Sequence, residues 1–125
     1  MKNINIPPKK ILWVEDDKMI AELGKSWLEM LGFEALMAKN GQEALKVMEK
    51  DFCSIVITDL QMPIMNGYDL IRKLREIYEK KCFIIIVSGS YEQMKINGIS
   101  NLADAKISKP VSLGELKKII QTQAN

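Results

Sequence analysis

The chain has 125 residues, 47% of them hydrophobic, with 18 basic and 16 acidic side chains and no histidine. This is enough apolar material for the core of one domain, and the near balance of charge, without a basic run, argues against direct binding to nucleic acid. The longest apolar run lies around residues 83–87, far short of the roughly 20 residues that span a membrane. Chemistry that uses histidine as a base, a metal ligand or a phosphoryl carrier is excluded.

The N-terminus and the two cysteines favour a cytoplasmic location. Residues 1–9 lack the apolar stretch of a signal peptide, so we expect them to form a polar lead-in to the first strand. Cys53 and Cys82 fit neither a metal-binding spacing nor a CxxC redox pair. We interpret both as small apolar side chains in the core of a protein of the reducing cytosol.

Five short β-rich runs alternate with stretches whose apolar residues have helical spacing. Strands are predicted at residues 11–14, 33–38, 54–58, 83–87 and 105–108. Helices are predicted around residues 20–31, 44–48, 70–77, 93–99 and 113–120. Gly32 suits the end of the first helix. The spacing of Ser112 and Glu115 is typical of a capping box before the fifth. The fourth helix is weak, because Asn97-Gly98 interrupts it.

This alternation predicts a single α/β domain with a parallel sheet that helices cover on both faces. The first, third and fourth strands are nearly continuous hydrophobic runs, as expected for strands that are buried on both sides. We place the domain at residues 10–123 and expect no attached output domain.

In a doubly wound sheet, functional residues gather at the carboxyl ends of the strands. The polar residues predicted at these ends are Glu15, Asp16, Asp17, Asp59, Ser88 and Lys109. Crowded carboxylates repel one another unless a cation lies between them, and Mg²⁺ is bound by one or two carboxylates together with water and phosphate oxygens. The set therefore contains the parts for phosphoryl transfer: a carboxylate nucleophile, a metal site, a lysine and a hydroxyl group.

Four motifs resemble those of the receiver domains of bacterial response regulators. The segment DLQMPIMNG, residues 59–67, is similar to the family signature DxxMPxMxG, and ILWVEDD, residues 11–17, resembles the family's first strand and acidic pair. Ser88-Gly89 and Lys109-Pro110 stand where the family has its hydroxyl residue, a small residue and a Lys-Pro pair. The resemblance covers about residues 10–123. It implies a flavodoxin-like (βα)5 fold with strand order 2-1-3-4-5.

The resemblance also implies roles for individual residues. Asp59 would be the phosphoacceptor, Lys109 would pair with the phosphoryl group, and Ser88 would donate a hydrogen bond to it. The ligands of Mg²⁺ would be Asp16, Asp59, the backbone carbonyl of Gln61 and, through water, Glu15. We expect Asp17 to cap the first helix instead. The Lys109-Pro110 peptide bond is often cis in this family.

Two positions depart from the family pattern. Lys106 stands three residues before the conserved lysine, where many receivers have the Tyr or Phe that turns inward during switching. We therefore expect Lys106 to move a charge at the output face. Leu102 replaces a usual glycine, so residues 90–101 are expected to be the most plastic part of the fold. Gln61 and Ser90 would flank the path of attacking water and tune the phosphate lifetime.

The resulting prediction is a signalling switch that accepts a phosphoryl group from a histidine kinase or a phosphotransfer protein. It would catalyse only its own phosphorylation and slow dephosphorylation. The donor would contact Met19, Ile20 and Val111, whereas the downstream partner stays open. One alternative is a degenerate receiver that acts as a phosphorylation-independent interaction module. A phosphatase of the haloacid dehalogenase kind is disfavoured, because Gln61 stands where that class has its second aspartate.

Overall fold

The computed structural model describes residues 9–62, 64–89 and 101–124. Its strands are β1 (Lys10–Val14), β2 (Glu34–Ala38), β3 (Ile55–Asp59), β4 (Phe83–Ser88) and β5 (Ala105–Ser108). Its helices are α1 (Lys18–Met30), α2 (Gly41–Lys50), α3 (Gly67–Tyr78) and α4 (Leu113–Ala124). Helix α4 corresponds to the fifth predicted helix, because the predicted fourth helix lies outside the described residues. Residues 90–100 of the segment 90–101, which was expected to be plastic, lie outside them as well.

The five strands form one parallel sheet in the order β2-β1-β3-β4-β5. The register pairs Val14 with both Ala38 and Thr58, and Asp59 with Val87. The predicted fold class and strand order are thus confirmed, and the strands that carry the acidic residues are next to one another at the centre.

Alternation along each strand sends apolar side chains to both faces of the sheet. One face packs against α1 and α4, with a core that contains Ile11, Trp13, Leu28, Ile57, Ile107 and Ile120. The other packs against α2 and α3, with a core that contains Leu12, Met48, Val56, Leu70, Leu74 and Ile86. The predicted arrangement of helices on both faces is therefore confirmed.

All four described helices begin at side-chain caps that lie in the loops at the carboxyl edge of the sheet. The Asp17 carboxylate accepts hydrogen bonds from the backbone N–H groups of Met19 (2.9 Å) and Ile20 (3.1 Å), so its predicted capping role is confirmed. Asn40 and Asn66 cap α2 and α3 in the same way. The Ser112 hydroxyl accepts a hydrogen bond from the backbone N–H of Glu115 at 3.3 Å, as the spacing before the last helix predicted.

The predicted boundaries are wrong by one residue at four strands, because β1 begins at residue 10, β2 begins at residue 34, β3 spans residues 55–59 and β4 ends at residue 88. Phe33 was predicted to begin the second strand, but its N–H donates to the Leu28 carbonyl, while Gly32 has φ of +93°. This is the Schellman ending of α1, so β2 begins at Glu34. Strand β3 runs to Asp59 rather than Thr58, because Asp59 still pairs with Val87.

Both cysteines are buried and free, as the sequence predicted. Burial raises the pKa of the Cys53 thiol to about 12, which keeps it protonated and unreactive. None of the described helices is long and apolar enough to cross a lipid bilayer.

Candidate functional site

The carboxyl edge of the sheet carries a polar cleft of about 600 Å³. Its lining includes every acidic, hydroxyl and lysine side chain that the sequence predicted there: Glu15, Asp16, Asp17, Asp59, Ser88 and Lys109. Gln61, Ile20 and Gly89 complete the wall. The six side chains lie together because they follow four strands that all run in the same direction.

Asp59 lies at the centre of the sheet and is only 8% exposed. Its Oδ1 accepts hydrogen bonds from the backbone N–H groups of Leu60 (2.7 Å) and Gln61 (3.2 Å). Its Oδ2 accepts a hydrogen bond from Lys109 Nζ at 2.5 Å. The carboxylate is therefore held in one orientation, and a cation faces the oxygen that neither of these N–H groups binds.

Gly67 places the backbone that carries Asp59. Its N–H donates to the Leu60 carbonyl at 3.0 Å, so the start of α3 lies directly against the end of β3. A Cβ atom on Gly67 would lie 2.1 Å from the carbonyl oxygen of Asp59, which no side chain tolerates. Sequence reasoning did not single out this role, although the signal was present as the last letter of the DxxMPxMxG pattern.

Glu15 is the second buried carboxylate and is 7% exposed. Its Oε2 accepts a hydrogen bond from the Asp17 backbone N–H at 3.1 Å. Burial raises the pKa of Glu15, and the charge of Asp59 adds to the rise, whereas the Asp17 N–H and Lys109 oppose it. Asp16, in contrast, is exposed at the mouth of the cleft.

Lys109 joins the ends of β4 and β5, since its N–H donates to the Ser88 carbonyl at 3.0 Å. Burial lowers the pKa of Lys109, but its hydrogen bond to Asp59 and the charges of Asp59, Glu15 and Asp16 together raise it above the ordinary value. The side chain is thus held as a cation. The Lys109-Pro110 peptide bond is cis, in agreement with what the resemblance implied.

The other predicted positions are spread over several elements. Ser88 ends β4, is buried and lines the cleft. Lys106 is exposed on β5, opposite Ile86 in the register, and does not line the cleft. Ser90 lies outside the described residues.

Of the three predicted donor contacts, Met19 and Ile20 are exposed on the first turn of α1, whereas Val111 is half-buried against the core.

The donor set of the cleft fits Mg²⁺, which is satisfied by one or two carboxylates, a carbonyl and water. Glu15, Asp16, Asp59 and Gln61 all line the cleft. Within the described ranges, no three acidic or cysteine side chains form a ready-made metal cage, and Lys109 already binds Oδ2 of Asp59. The arrangement therefore favours an ion that keeps several of its own waters.

A family model described as the response regulator receiver domain matches residues 11–121. The chain belongs to this family. It is thus a receiver domain of two-component signalling systems, a class of phosphoacceptor domains rather than of conventional enzymes. Domains of this family take their phosphoryl group from histidine kinases.

Solved receiver domains have the same fold. One from Methanospirillum hungatei is 30% identical, with a TM-score of 0.85 and 93% of each chain covered. Another, from Methylobacillus flagellatus, is 33% identical, with a TM-score of 0.84 and 92% of this chain and 98% of the other covered. The response regulator TrrA from Thermotoga maritima, solved in complex with Mg²⁺-BeF, is 32% identical, with a TM-score of 0.83 and 91% and 97% covered.

The curated relatives are longer proteins, and the chain spans less than half of each. The sensor kinase/phosphatase LuxN of Vibrio harveyi is 29% identical over 122 residues, which are 98% of this chain but 14% of LuxN. The transcriptional regulatory protein CpxR of Escherichia coli is 34% identical over 107 residues, which are 86% of this chain and 45% of CpxR. Similarity thus extends to a receiver region within a kinase and to one within a transcriptional regulator.

Proposed function

We propose that this domain accepts a phosphoryl group on Asp59 in a Mg²⁺-dependent reaction and thereby changes which partner it binds. The observation that carries the proposal is the geometry of Asp59. Two backbone N–H groups fix one of its oxygens, and Lys109 Nζ lies 2.5 Å from the other. The carboxylate faces a cleft that Glu15, Asp16 and Gln61 also line.

In the proposed reaction, a carboxylate oxygen of Asp59 attacks the phosphorus atom of a phosphohistidine. A P–O bond to Asp59 forms, the P–N bond breaks, and the donor imidazole leaves with a proton from solvent. The Leu60 and Gln61 amides hold the nucleophile in position, and Lys109 stabilises the negative charge on the phosphoryl oxygens. Because the 125 residues contain no histidine, the donor histidine belongs to a kinase or phosphotransfer domain outside them.

Bound Mg²⁺ would neutralise charge on the phosphoryl oxygens during transfer. Asp16, Asp59 and the Gln61 carbonyl would hold it directly, and Glu15 would hold it through water. The resemblance to TrrA, which was solved in complex with Mg²⁺-BeF, supports this assignment. Water that enters past Gln61 and Ser90 would later hydrolyse the acyl phosphate.

The proposed switch joins the cleft to the exposed face of β5. Ser88 would donate its hydroxyl hydrogen to a phosphoryl oxygen, and the movement of β4 would reach Lys106 because Ile86 pairs with it. A lysine here presents a charge where an aromatic ring is usual, and a long charged side chain keeps its end in water. The absent ring is also the one feature that favours the alternative, a phosphorylation-independent interaction module.

We further propose a cytoplasmic receiver unit at residues 10–123 that has protein partners and makes no direct contact with nucleic acid or membrane. The near balance of charge supports this. Met19, Ile20 and Val111 are the proposed contacts for the phosphodonor, and the exposure of the first two supports that role.

The test is phosphate uptake from phosphoramidate in the presence of Mg²⁺, followed by intact mass. We expect one phosphoryl group on the wild-type protein, none on Asp59→Asn and none after addition of EDTA. Asp69→Asn is the matched control, because Asp69 is an exposed aspartate on α3 away from the cleft, and uptake should be unchanged. If no adduct forms with any small donor, or if Asp59→Asn is still modified, the interaction module becomes the better assignment.

A further inference from the structure

The corner between β2 and α2, residues 38–41, lies at the carboxyl edge of the sheet, but none of its residues lines the acidic cleft. Two backbone hydrogen bonds attach this corner to its neighbours on either side. The Glu15 N–H donates to the Ala38 carbonyl at 2.9 Å, and the Gly41 N–H donates to the Met65 carbonyl at 3.0 Å. The corner therefore bridges the loop after β1 and the loop between β3 and α3.

The two loops that the corner joins carry residues proposed above to bind Mg²⁺. The loop after β1 contains Glu15 and Asp16, and the loop between β3 and α3 contains Gln61. Mg²⁺ demands near-ideal octahedral geometry, and the residues of a binding site have to be held to within about 0.5 Å. The separation of the two loops is therefore expected to set the affinity for Mg²⁺, an inference that rests on the proposed function.

The corner has a fixed shape of its own. Asn40 is only 6% exposed, and its Oδ1 accepts a hydrogen bond from the Glu43 N–H at 2.8 Å. In return, the Glu43 carboxylate accepts a hydrogen bond from the Lys39 N–H at 3.0 Å, so the turn into α2 is closed from both sides. Ala44 and Met48 then anchor α2 in the core. The corner is thus attached to the core and does not follow a loop that moves.

Gly41 determines how closely the loop between β3 and α3 approaches the corner. A Cβ atom on Gly41 would lie 2.8 Å from the Met65 carbonyl oxygen and 2.7 Å from Met65 Cγ, well inside the roughly 3.5–4.0 Å of an unstrained contact between carbon atoms. The other end of this loop is held by the bond from the Gly67 N–H to the Leu60 carbonyl. Ile64 lies between these two attachments with φ of +69°, a conformation that persists only when surrounding contacts impose it.

We propose that the corner at residues 38–41 is a spacer that sets the separation of the two loops, with Gly41 as the residue that positions the Met65 end. Gly41 acts on the metal site through the loop backbone, because the Gln61 carbonyl is four residues before Met65. A methyl group at position 41 would displace the Met65 carbonyl by several tenths of an ångström, which is comparable with the tolerance of such a site.

The test is Gly41→Ala, with Mg²⁺ titrated into the protein by isothermal calorimetry without a phosphodonor. We expect the Kd for Mg²⁺ to rise about tenfold, the usual loss when a group that supports metal ligands is changed. The Kd for Ca²⁺ should rise by less than about threefold, because Ca²⁺ accepts its oxygen ligands in a more flexible geometry. A shift in the ratio of the two affinities separates misplaced ligands from a general loss of structure.

Gly24→Ala is the matched control. Its new Cβ atom would lie 2.8 Å from the ring of Trp13, so it introduces a clash of similar size in the core on the other face of the sheet. Urea unfolding measures the stability that each variant loses, and Gly24→Ala should change the Kd for Mg²⁺ less than twofold. In EDTA, hydrogen exchange of the amides in residues 60–67 should be faster in Gly41→Ala and not in Gly24→Ala.

The proposal is overturned if Gly41→Ala binds Mg²⁺ as tightly as the wild type, or if Gly24→Ala weakens binding as much. Equal losses of Mg²⁺ and Ca²⁺ affinity in Gly41→Ala, or unchanged exchange in residues 60–67, would overturn it as well. A wild-type protein that binds no Mg²⁺ would overturn the proposed metal dependence together with the spacer. Binding by the wild type and equally by Gly41→Ala would overturn the spacer alone.

Discussion

At the scale of single residues, Glu15 holds a charge that folding disfavours. Its pKa is raised mainly by burial, so the native state binds its proton more tightly than the unfolded state does. The protonated form is therefore the stabilising one. The contribution of Glu15 to the free energy of unfolding is therefore largest below pH 4.5, the ordinary pKa of the group. It falls as the pH rises through the raised pKa of the folded protein and stays constant at higher pH.

Glu15→Gln is accordingly expected to raise the free energy of unfolding at pH 7. The amide keeps an oxygen that accepts the hydrogen bond from the Asp17 N–H but carries no charge to bury. Urea unfolding in EDTA at pH 7 and pH 4 measures this, and the gain should shrink at pH 4, where wild-type Glu15 is largely protonated. Glu22→Gln, on the exposed surface of α1, is the control and should change little. A loss of stability at pH 7 would contradict the electrostatic account.

Because Gly67 has no side chain, the start of α3 can lie against the end of β3, which carries Asp59. In Gly67→Ala, the new methyl carbon would lie only 2.1 Å from the carbonyl oxygen of Asp59. The start of α3 and the end of β3 must therefore move apart. We expect a loss of about 3 kcal/mol in unfolding free energy and slower phosphate uptake by the variant. Gly114→Ala is the matched control. Its new methyl group would meet only the Ser112 hydroxyl at 3.7 Å, and alanine in a helix should stabilise by about 0.5–1 kcal/mol. Equal effects of the two substitutions would contradict the steric argument.

At the scale of elements, Arg75 links α3 to three separate segments. Its Nε donates to the Leu102 carbonyl at 2.7 Å, and its Nη1 donates to the carbonyls of Glu79 and Cys82 at 2.7 and 2.8 Å. Its Nη2 pairs with Asp104 Oδ2 at 2.5 Å. That oxygen also accepts the Ile84 N–H at 2.8 Å. The lead-in to β5 is thus attached to α3 and β4, at the end of the sheet opposite the cleft.

Arg75→Ala should cost about 3 kcal/mol, because it leaves a mostly buried carboxylate and several carbonyls without their donor. Arg72→Ala on the same helix removes only an exposed pair at 3.4 Å and should cost under about 0.5 kcal/mol. Thermal and urea unfolding compare the two. Similar small losses would show that water replaces the Arg75 bonds without penalty.

The loop between β3 and α3 contains a strained residue. Ile64 has φ of +69° and is 78% exposed, so a β-branched side chain occupies the left-handed region without packing to offset the cost. Ile64→Asn should raise the free energy of unfolding by about 1 kcal/mol, since asparagine adopts this conformation more readily. Ile77→Asn, at an exposed site in helical α3, should give no gain. If both substitutions destabilise, the strain at Ile64 is too small to measure.

At the scale of the whole molecule, the sequence predicted the architecture because its local signals agree. Apolar runs such as residues 83–87 identified the central strands, and Asp17 and Ser112 identified helix starts. Parallel topology then placed the site residues at one edge. The links of Arg75 were not predictable, since three of their four acceptors are backbone carbonyls that carry no sequence signal. The apolar pocket on the α1 face of the sheet was missed for a similar reason, because it depends on how high α1 lies above Trp13.

The remaining prediction concerns coupling across the molecule, from the cleft to the exposed face of β5. Lys106 lies outside the cleft, so Lys106→Ala should leave phosphate uptake from phosphoramidate unchanged. Its neighbour across the register, Ile86, lies two residues before Ser88 on the same strand, so movement of β4 is expected to reach position 106. Hydrogen exchange of the β4 and β5 amides, compared with and without phosphorylation, measures that movement.

We expect phosphorylation to alter exchange at β5 in the wild type and to alter partner binding less in Lys106→Ala. Lys118→Ala is the control for loss of one surface charge, since Lys118 is exposed on α4, and it should behave as the wild type does. A Lys106→Ala protein with wild-type uptake and wild-type phosphorylation-dependent binding would remove Lys106 from the output step. The charge at this position would then be incidental, and the signal would have to leave the domain through another face.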